Sequence, residues 1–350
     1  MFMRGEEGMA ELTSGEIAKV LNLDSIEVLE RELILDASKR IERIKWRESE
    51  KAHPEQILIK YGRDPALLSE IFYYKELSKS VKDHLPQIIA HDTQNKIGVL
   101  VLEWIDGVNP DLSDQAIVKR VYKDYGKFAA KWGNQINEFD NEKITQLINN
   151  TPDYKGRLDH LIDKLSIRNH IDEIYEGISF CEGREDLLRE VGGPEFLDLI
   201  KRMDKKWITG LINMLYKVPC TLHPGDVSKF NTLIRHSNNQ VLIIDFENMK
   251  IGPMSLLMEY IGEEDIHVPP SQLNETALRS YVEGWNKHSM QSVKWEQFYK
   301  SYLAARIFYK IYLIQWYLNK FENKSRRTPE PTWVKRHVQD LLIYCKLIEK

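Results

Sequence analysis

Near residue 104 the period of the hydrophobic pattern changes, and few folds accommodate that change. Before it, apolar residues come in short strand-like runs; after it they recur at helical spacing, interrupted by one hairpin pattern. A β-rich layer and a larger helical body must therefore each bury a core, and 350 residues, 42% of them apolar, are enough for both. The expected division is an N-terminal part over 1–104 and a helical part over 105–350.

In the first part Thr13 to Leu23 reads as a short capped helix, and Ile26 to Ile34, Ile41 to Arg47 and Gln56 to Tyr61 read as strands. Asp64-Pro65 is a good helix start, an N-cap followed by a residue tolerated at the first helical position, and the helix is expected over 65–79. Gln87 to His91 and Gly98 to Trp104 complete the strands, and Ile105-Asp106-Gly107 reads as a turn. The fold class is α+β. Helical patterns follow over 113–138, 155–175, 184–190, 194–216, 271–287, 295–319 and 331–348.

Composition narrows the function. Forty-nine Lys and Arg against 53 Asp and Glu leave a net charge of −4, which favours neither nucleic acid nor an anionic membrane and makes small molecules the expected partners. Cys181, Cys220 and Cys345 lie far apart with no C-x-x-C pair, a usage that fits a reducing, cytoplasmic setting. The opening MFMRGEEGMAEL carries charges where a secretory leader needs an apolar centre. Arg306, Lys310 and Gln315 interrupt the apolar stretch Tyr302 to Leu318, so it reads as a buried helix rather than a membrane span. The motifs G-x-x-x-x-G-K-[ST], H-E-x-x-H and G-x-S-x-G are absent from the sequence.

The informative stretch is 217–265. Asn231 to Arg235 and Val241 to Asp245 flank the turn residues His-Ser-Asn-Asn-Gln, and symmetric pairing sets Arg235 opposite Val241 and Asn231 opposite Asp245. Asp226, five residues before Asn231, brings a second carboxylate toward the same end. Hard oxygens in that arrangement suit Mg²⁺ with a phosphate substrate and leave one carboxylate free to take a proton from a hydroxyl. In the small part, helical spacing puts Glu70 inside the apolar arc of Leu67, Ile71 and Tyr74, where a buried carboxylate needs a cation; Lys60, ending the run Ile57-Leu58-Ile59, is the nearest in sequence.

The run H-P-G-D-V-S-K-F-N over 223–231, followed by I-D-F-E over 244–247, resembles the H-G-D-x-x-x-x-N and I-D-[FW]-[GE] motifs of the aminoglycoside phosphotransferase and choline kinase family. L-E-W-I-D-G over 102–107 is similar to the family's strand into the hinge, and the likeness spans about residues 15 to 320. The resemblance implies a two-lobed, protein-kinase-like fold and an ATP- or GTP-dependent kinase. Asp226 would be the catalytic base, and Asn231 and Asp245 the Mg²⁺ ligands. Lys60 and Glu70 would grip the phosphates, and the backbone of Glu103, Trp104 and Ile105 would meet the base.

The sequence also departs from the family. Between Gly15 and Gly62 there is no glycine, so the turn Leu35 to Arg40 is not a Gly-rich phosphate cover; Ser38 and Lys39 are its residues able to touch a phosphate. Pro224 stands where the family usually has His, and Ser228 where a basic residue is frequent, with Lys229 beside it. Glu259, Glu263, Glu264 and Asp265 form an acidic cluster suited to a cationic, amino-bearing acceptor, and the aromatic run from Phe298 to Tyr317 reads as either core or a cage for such a cation. An antibiotic-type acceptor is expected first and a choline- or sugar-type metabolite next. The rival is a non-catalytic, kinase-like structural or spore-coat-type protein. No A-P-E segment follows Asp245, which disfavours a protein kinase.

Overall fold

The computed structural model describes residues 10–36, 39–48, 53–78, 81–93, 97–136, 185–224, 229–246, 250–258, 275–322 and 331–350. They fall into two compact units. One gathers the chain up to Pro110 with the segment containing 229–246, and the other holds the described residues from Asp111 to His223 and from Lys250 onward.

The first unit is built on an antiparallel sheet of β1 (Ile26–Asp36), β2 (Lys39–Glu48), β3 (Glu55–Gly62), β4 (Ile88–Asp92) and β5 (Gly98–Glu103), in the order β1-β2-β3-β5-β4. One face is apolar by alternation: Ile44 and Trp46 of β2, Ile57, Ile59 and Tyr61 of β3, and Val99 and Val101 of β5 bury Ile17 and Ala18 of α1 (Ser14–Leu21). Thr13 and Glu16 close α1 with a reciprocal capping box.

Against the other face lies α2 (Pro65–Phe72). The Asp64 side chain accepts from the Ala66 N–H, and Pro65 opens the first turn, as the Asp-Pro pair predicts. A Cβ on Gly98 would lie 3.1 to 3.3 Å from Ile71, Leu68 and Leu67, so this glycine lets α2 seat tightly on β5. The helix expected over 65–79 keeps α geometry only to Phe72 and then widens into a π turn over Tyr73–Leu77.

A second sheet, β6-β8-β9, joins β6 (Gly107–Val108) to the hairpin of β8 (Thr232–Arg235) and β9 (Val241–Ile243). Gly107 pairs with Arg235, so the segment expected as a turn becomes a strand through a distant partner. The hairpin exists as expected, but its register is one residue off: Ile234, not Arg235, faces Val241. The Arg235 N–H donates to the Gln240 carbonyl, and Asn239, in the left-handed region at φ 57°, closes a tighter loop than the symmetric one. A one-residue slip reverses the faces, so Asn231 and Asp245 are not a cross-strand pair.

The second unit is mostly helical. Its described helices are α3 (Gln115–Ile136), α4 (Glu185–Arg202), α5 (Lys205–Leu215), α6 (Glu275–His288), α7 (Trp295–Glu322) and α8 (Pro331–Ile348). Helix α4 breaks at Gly193 (φ 69°), with Pro194 opening its second half; the helix expected over 194–216 is interrupted at Met203, where Asp204 caps α5 through the Trp207 N–H. The helix expected over 155–175 lies outside the described residues.

A further strand pair went unanticipated: β7 (Cys220–His223) runs antiparallel to β10 (Lys250–Pro253). In α7, Phe298, Tyr302 and Phe308 are buried, so that part of the aromatic run is core; Trp316 and Tyr317 are outside the described side chains. Lys310, buried on α7, donates to Asp340 at 2.9 Å and meets His337 Nδ1 at 3.0 Å, which explains how a charge is tolerated there. Among the described residues no helix is long and apolar enough to cross a membrane.

Candidate active site

Lys60 sits on β3 opposite Leu100 of β5 and Ile41 of β2, pointing to the sheet face that α2 covers. Its Nζ donates to both carboxylate oxygens of Glu70 at 2.9 Å, with the Lys 6% and the Glu 0% exposed. The apolar strand and the apolar helix face place this pair, as the sequence predicts. A buried ion pair of such geometry holds one orientation, and breaking it leaves an uncompensated charge.

Asp245 follows β9 at φ 68°, a left-handed conformation that Asp tolerates better than most residues. Its Oδ1 is buried and, among the described residues, accepts no hydrogen bond. Asn231 is held beside it, since the Asn231 carbonyl accepts from the N–H of Ile244 at 2.9 Å. The backbones of the two predicted ligands therefore lie near each other at one end of the hairpin, because Asn231 pairs with Ile244 rather than with Asp245.

Phe246 is fully buried, stacked on Tyr73 with centroids 4.0 Å apart and planes 6° from parallel, and edge-on to Tyr74. The π turn thus presents two consecutive rings to the residue after Asp245. Burial, reinforced by Glu70, Tyr73, Asp245 and Glu103, raises the Tyr74 hydroxyl well above its ordinary value. Phe246, next to Asp245, packs on Tyr73 and Tyr74, three and four residues along from Glu70, so the Lys60–Glu70 pair and Asp245 belong to one region.

An oxygen that is buried and lacks a donor fits a hard divalent cation, and Mg²⁺ characteristically takes one or two carboxylates while substrate phosphates and water supply the rest. Asp245 Oδ1 is such an oxygen, with the Asn231 backbone close to it. Among the described residues no group of three or more His, Cys, Asp and Glu side chains is arranged to hold a metal by itself.

The expected hinge carries more structure than its motif announces. The Glu103 carboxylate accepts from Arg235 at 2.7 and 3.1 Å and from the Gln87 N–H at 2.8 Å. Its side chain thus ties β5 to the hairpin, leaving only backbone for a ligand. The Trp104 ring lies under the Arg43 guanidinium, 4.6 Å from the centroid, and Ile105 is buried. Burial alone would raise the Glu103 carboxyl, but the Arg235 and Gln87 hydrogen bonds outweigh it and the net shift is downward. Its stabilisation is therefore complete above the ordinary carboxylate range and is lost as the pH falls through the lowered value. Arg235→Ala should cost about 1–2 kcal/mol at pH 7 and progressively less near pH 3. Urea midpoints at the two pH values check this; an unchanged gap would make the loss one of packing.

Asp226 and Ser38 lie outside the described residues, as do Glu259, Glu263, Glu264 and Asp265. Sequence reasoning missed two positioning residues. Arg235 is one, and Asn109 is the other: its Nδ2 donates to the carbonyls of Lys229 (2.9 Å), Phe230 (3.3 Å) and Thr232 (2.9 Å), fixing the approach to Asn231. Both act across more than 100 residues of sequence, where local pattern carries no signal.

The sequence matches no family model and no curated protein. Solved structures do match. An amicoumacin kinase in complex with AMP-PNP and Ca²⁺ superposes with a TM-score of 0.55 at 9% identity, over 91% of each chain. A choline/ethanolamine kinase family protein from Mesorhizobium loti gives 0.53 at 11% identity, over 92% of this chain and 88% of that one. Choline kinase from Cryptosporidium parvum gives 0.52 at 15% identity, over 93% and 90%. The fold is thus the protein-kinase-like fold of small-molecule kinases, as the motifs imply.

Proposed function

We propose that the protein is a small-molecule kinase transferring the γ-phosphate of ATP or GTP to a hydroxyl of an amino-bearing acceptor, an aminoglycoside-like antibiotic or a related metabolite. The observation that carries this reading is the buried Lys60–Glu70 pair sharing one region with a carboxylate oxygen of Asp245 that accepts no hydrogen bond among the described residues. Lys60, oriented by Glu70, holds the α- and β-phosphates, and the backbone of Glu103, Trp104 and Ile105 receives the base. Asn231 and Asp245 hold Mg²⁺, which when bound neutralises charge on the phosphates.

Asp226 takes the acceptor's proton as its oxygen bonds to the γ-phosphorus and the bond to the β-phosphate oxygen breaks, leaving the nucleoside diphosphate. The phosphates thus fall to the first 104 residues with the hairpin, and the acceptor to the remainder of 105–350. The acidic residues Glu259, Glu263, Glu264 and Asp265 are the proposed contact for a cationic acceptor. A cytoplasmic setting suits such a reaction.

Pro224 in the His position and the glycine-free turn between β1 and β2 favour a second reading, a kinase-like structural protein without catalysis. Calorimetric titration of ATP and GTP with Mg²⁺ separates the two. A kinase binds one of them in the micromolar range, and its Asp226→Ala variant binds equally well yet transfers no phosphate to amino-sugar antibiotics or choline. Absence of binding to either nucleotide would leave the structural reading.

A further inference from the structure

Asn231 shares a tight turn with an exposed aromatic ring. The Thr232 N–H donates to the Lys229 carbonyl at 3.3 Å, so Phe230 and Asn231 are the two central residues of the turn that leads into β8. Asn109 fixes that turn from far along the chain, its Nδ2 donating to the carbonyls of Lys229, Phe230 and Thr232. Backbone hydrogen bonds thus account for the turn without help from the Phe230 ring, and such positions ordinarily carry Pro, Asp, Asn, Ser or Gly. Phe230 is nonetheless 64% exposed. A large ring left in water on a rigid backbone contributes little to folding and is ready to bury apolar surface against a ligand. The Lys229 ammonium lies 5.2 Å from the ring centroid, within cation–π range.

We propose that Phe230 is an acceptor-contact residue whose open ring face stacks on the C–H face of a sugar or cyclitol ring, selecting a cyclic acceptor over a small acyclic quaternary ammonium such as choline. This rests on the kinase reading above and names its substrate class. Phe230 adjoins Asn231, the proposed Mg²⁺ ligand, so a molecule resting on the ring lies close to the proposed metal. The C–H bonds of a sugar ring suit the negative face of an aromatic ring, and two flat rings bury more apolar surface than a flat ring and a branched group. Lys229 already supplies a cation to this ring. A second ammonium brought onto it meets the repulsion of the first, whereas a sugar carries its amino groups at the rim, where they can turn away.

The test is calorimetry on the full chain with Mg-AMP-PNP present, titrating kanamycin, hygromycin B and choline into wild type, Phe230→Ala and Phe230→Tyr. Mg-AMP-PNP is titrated separately, and thermal midpoints are taken without ligand. Phe230→Ala should weaken the sugar that binds wild type about tenfold, and Phe230→Tyr should stay within about threefold. Choline should bind wild type at least about tenfold more weakly than that sugar. The Mg-AMP-PNP affinity and the unliganded midpoint of Phe230→Ala should match wild type, because the ring is exposed.

Equal sugar affinity in wild type and Phe230→Ala would overturn the proposal. So would choline binding tighter than that of either sugar, or a sugar loss in Phe230→Ala accompanied by a lowered midpoint, since the ring would then serve a cation or the fold. Failure of wild type to bind either sugar while it binds Mg-AMP-PNP would also remove the acceptor assignment and leave the kinase reading. Phe230-dependent sugar binding by a protein that binds no nucleotide would retain the ring as a sugar contact and remove that reading.

Discussion

Glu70→Ala is expected to destabilise the sheet-bearing unit by about 3–5 kcal/mol and to abolish high-affinity nucleotide binding. Glu70 is the fully buried partner of an ammonium that is itself 6% exposed, and both its oxygens are in use. Truncation leaves the buried Lys60 charge without its carboxylate between β3 and α2. Urea denaturation followed by tryptophan fluorescence reads the stability. The double replacement Lys60→Met with Glu70→Leu separates charge from packing: it should recover most of the lost stability, because apolar side chains of similar volume often replace a buried pair without penalty, yet it should not recover binding. A Glu70→Ala midpoint equal to wild type would mean the pair is hydrated in solution.

The second large effect is at Asp245, where stability and function should part. Asp245→Asn keeps the shape and tolerates the left-handed backbone at φ 68° as well as Asp does, so the thermal midpoint should move by the equivalent of about 1 kcal/mol or less. The same change removes the anionic oxygen proposed as a metal ligand. Affinity for ATP in the presence of Mg²⁺ should fall by about 10- to 100-fold, and affinity without the metal should not fall. Titrations with and without Mg²⁺ check this. Equal metal dependence in wild type and variant would exclude Asp245 as a ligand.

Short-range features of the site were legible because they rest on local periodicity. Asp64-Pro65 marks a helix start, the run Ile57 to Ile59 marks a buried strand, and the apolar arc around Glu70 demands a cation; together they bring Lys60 to Glu70 without any distant information. The hairpin was legible as a hairpin, but its register was not. One residue, Asn239, adopts a left-handed conformation and tightens the loop, which changes every pairing above it. Two-residue β6 has no period to detect, and the partners β7 and β10 announce nothing to each other across the intervening sequence. The Glu103 motif suggested a hinge, while the role of its side chain depended on Arg235, a partner that only tertiary structure supplies.

The splice of the hairpin onto the N-terminal sheet governs the order in which the chain can mature. Glu103 waits for Arg235, 132 residues downstream, and β6 has no neighbour until β8 exists. At a synthesis rate of about 5–20 residues per second, that interval is on the order of ten seconds. Through it a nascent chain carries a sheet with Lys60 and Glu70 able to pair, but with an open edge at β6 and a Glu103 carboxylate that has the Gln87 N–H and not yet its guanidinium. Contacts this remote in sequence are slow to form. The sheet-bearing unit, though most of it is synthesised before residue 111, is therefore completed late, and exposure to chaperones or proteases falls within that interval.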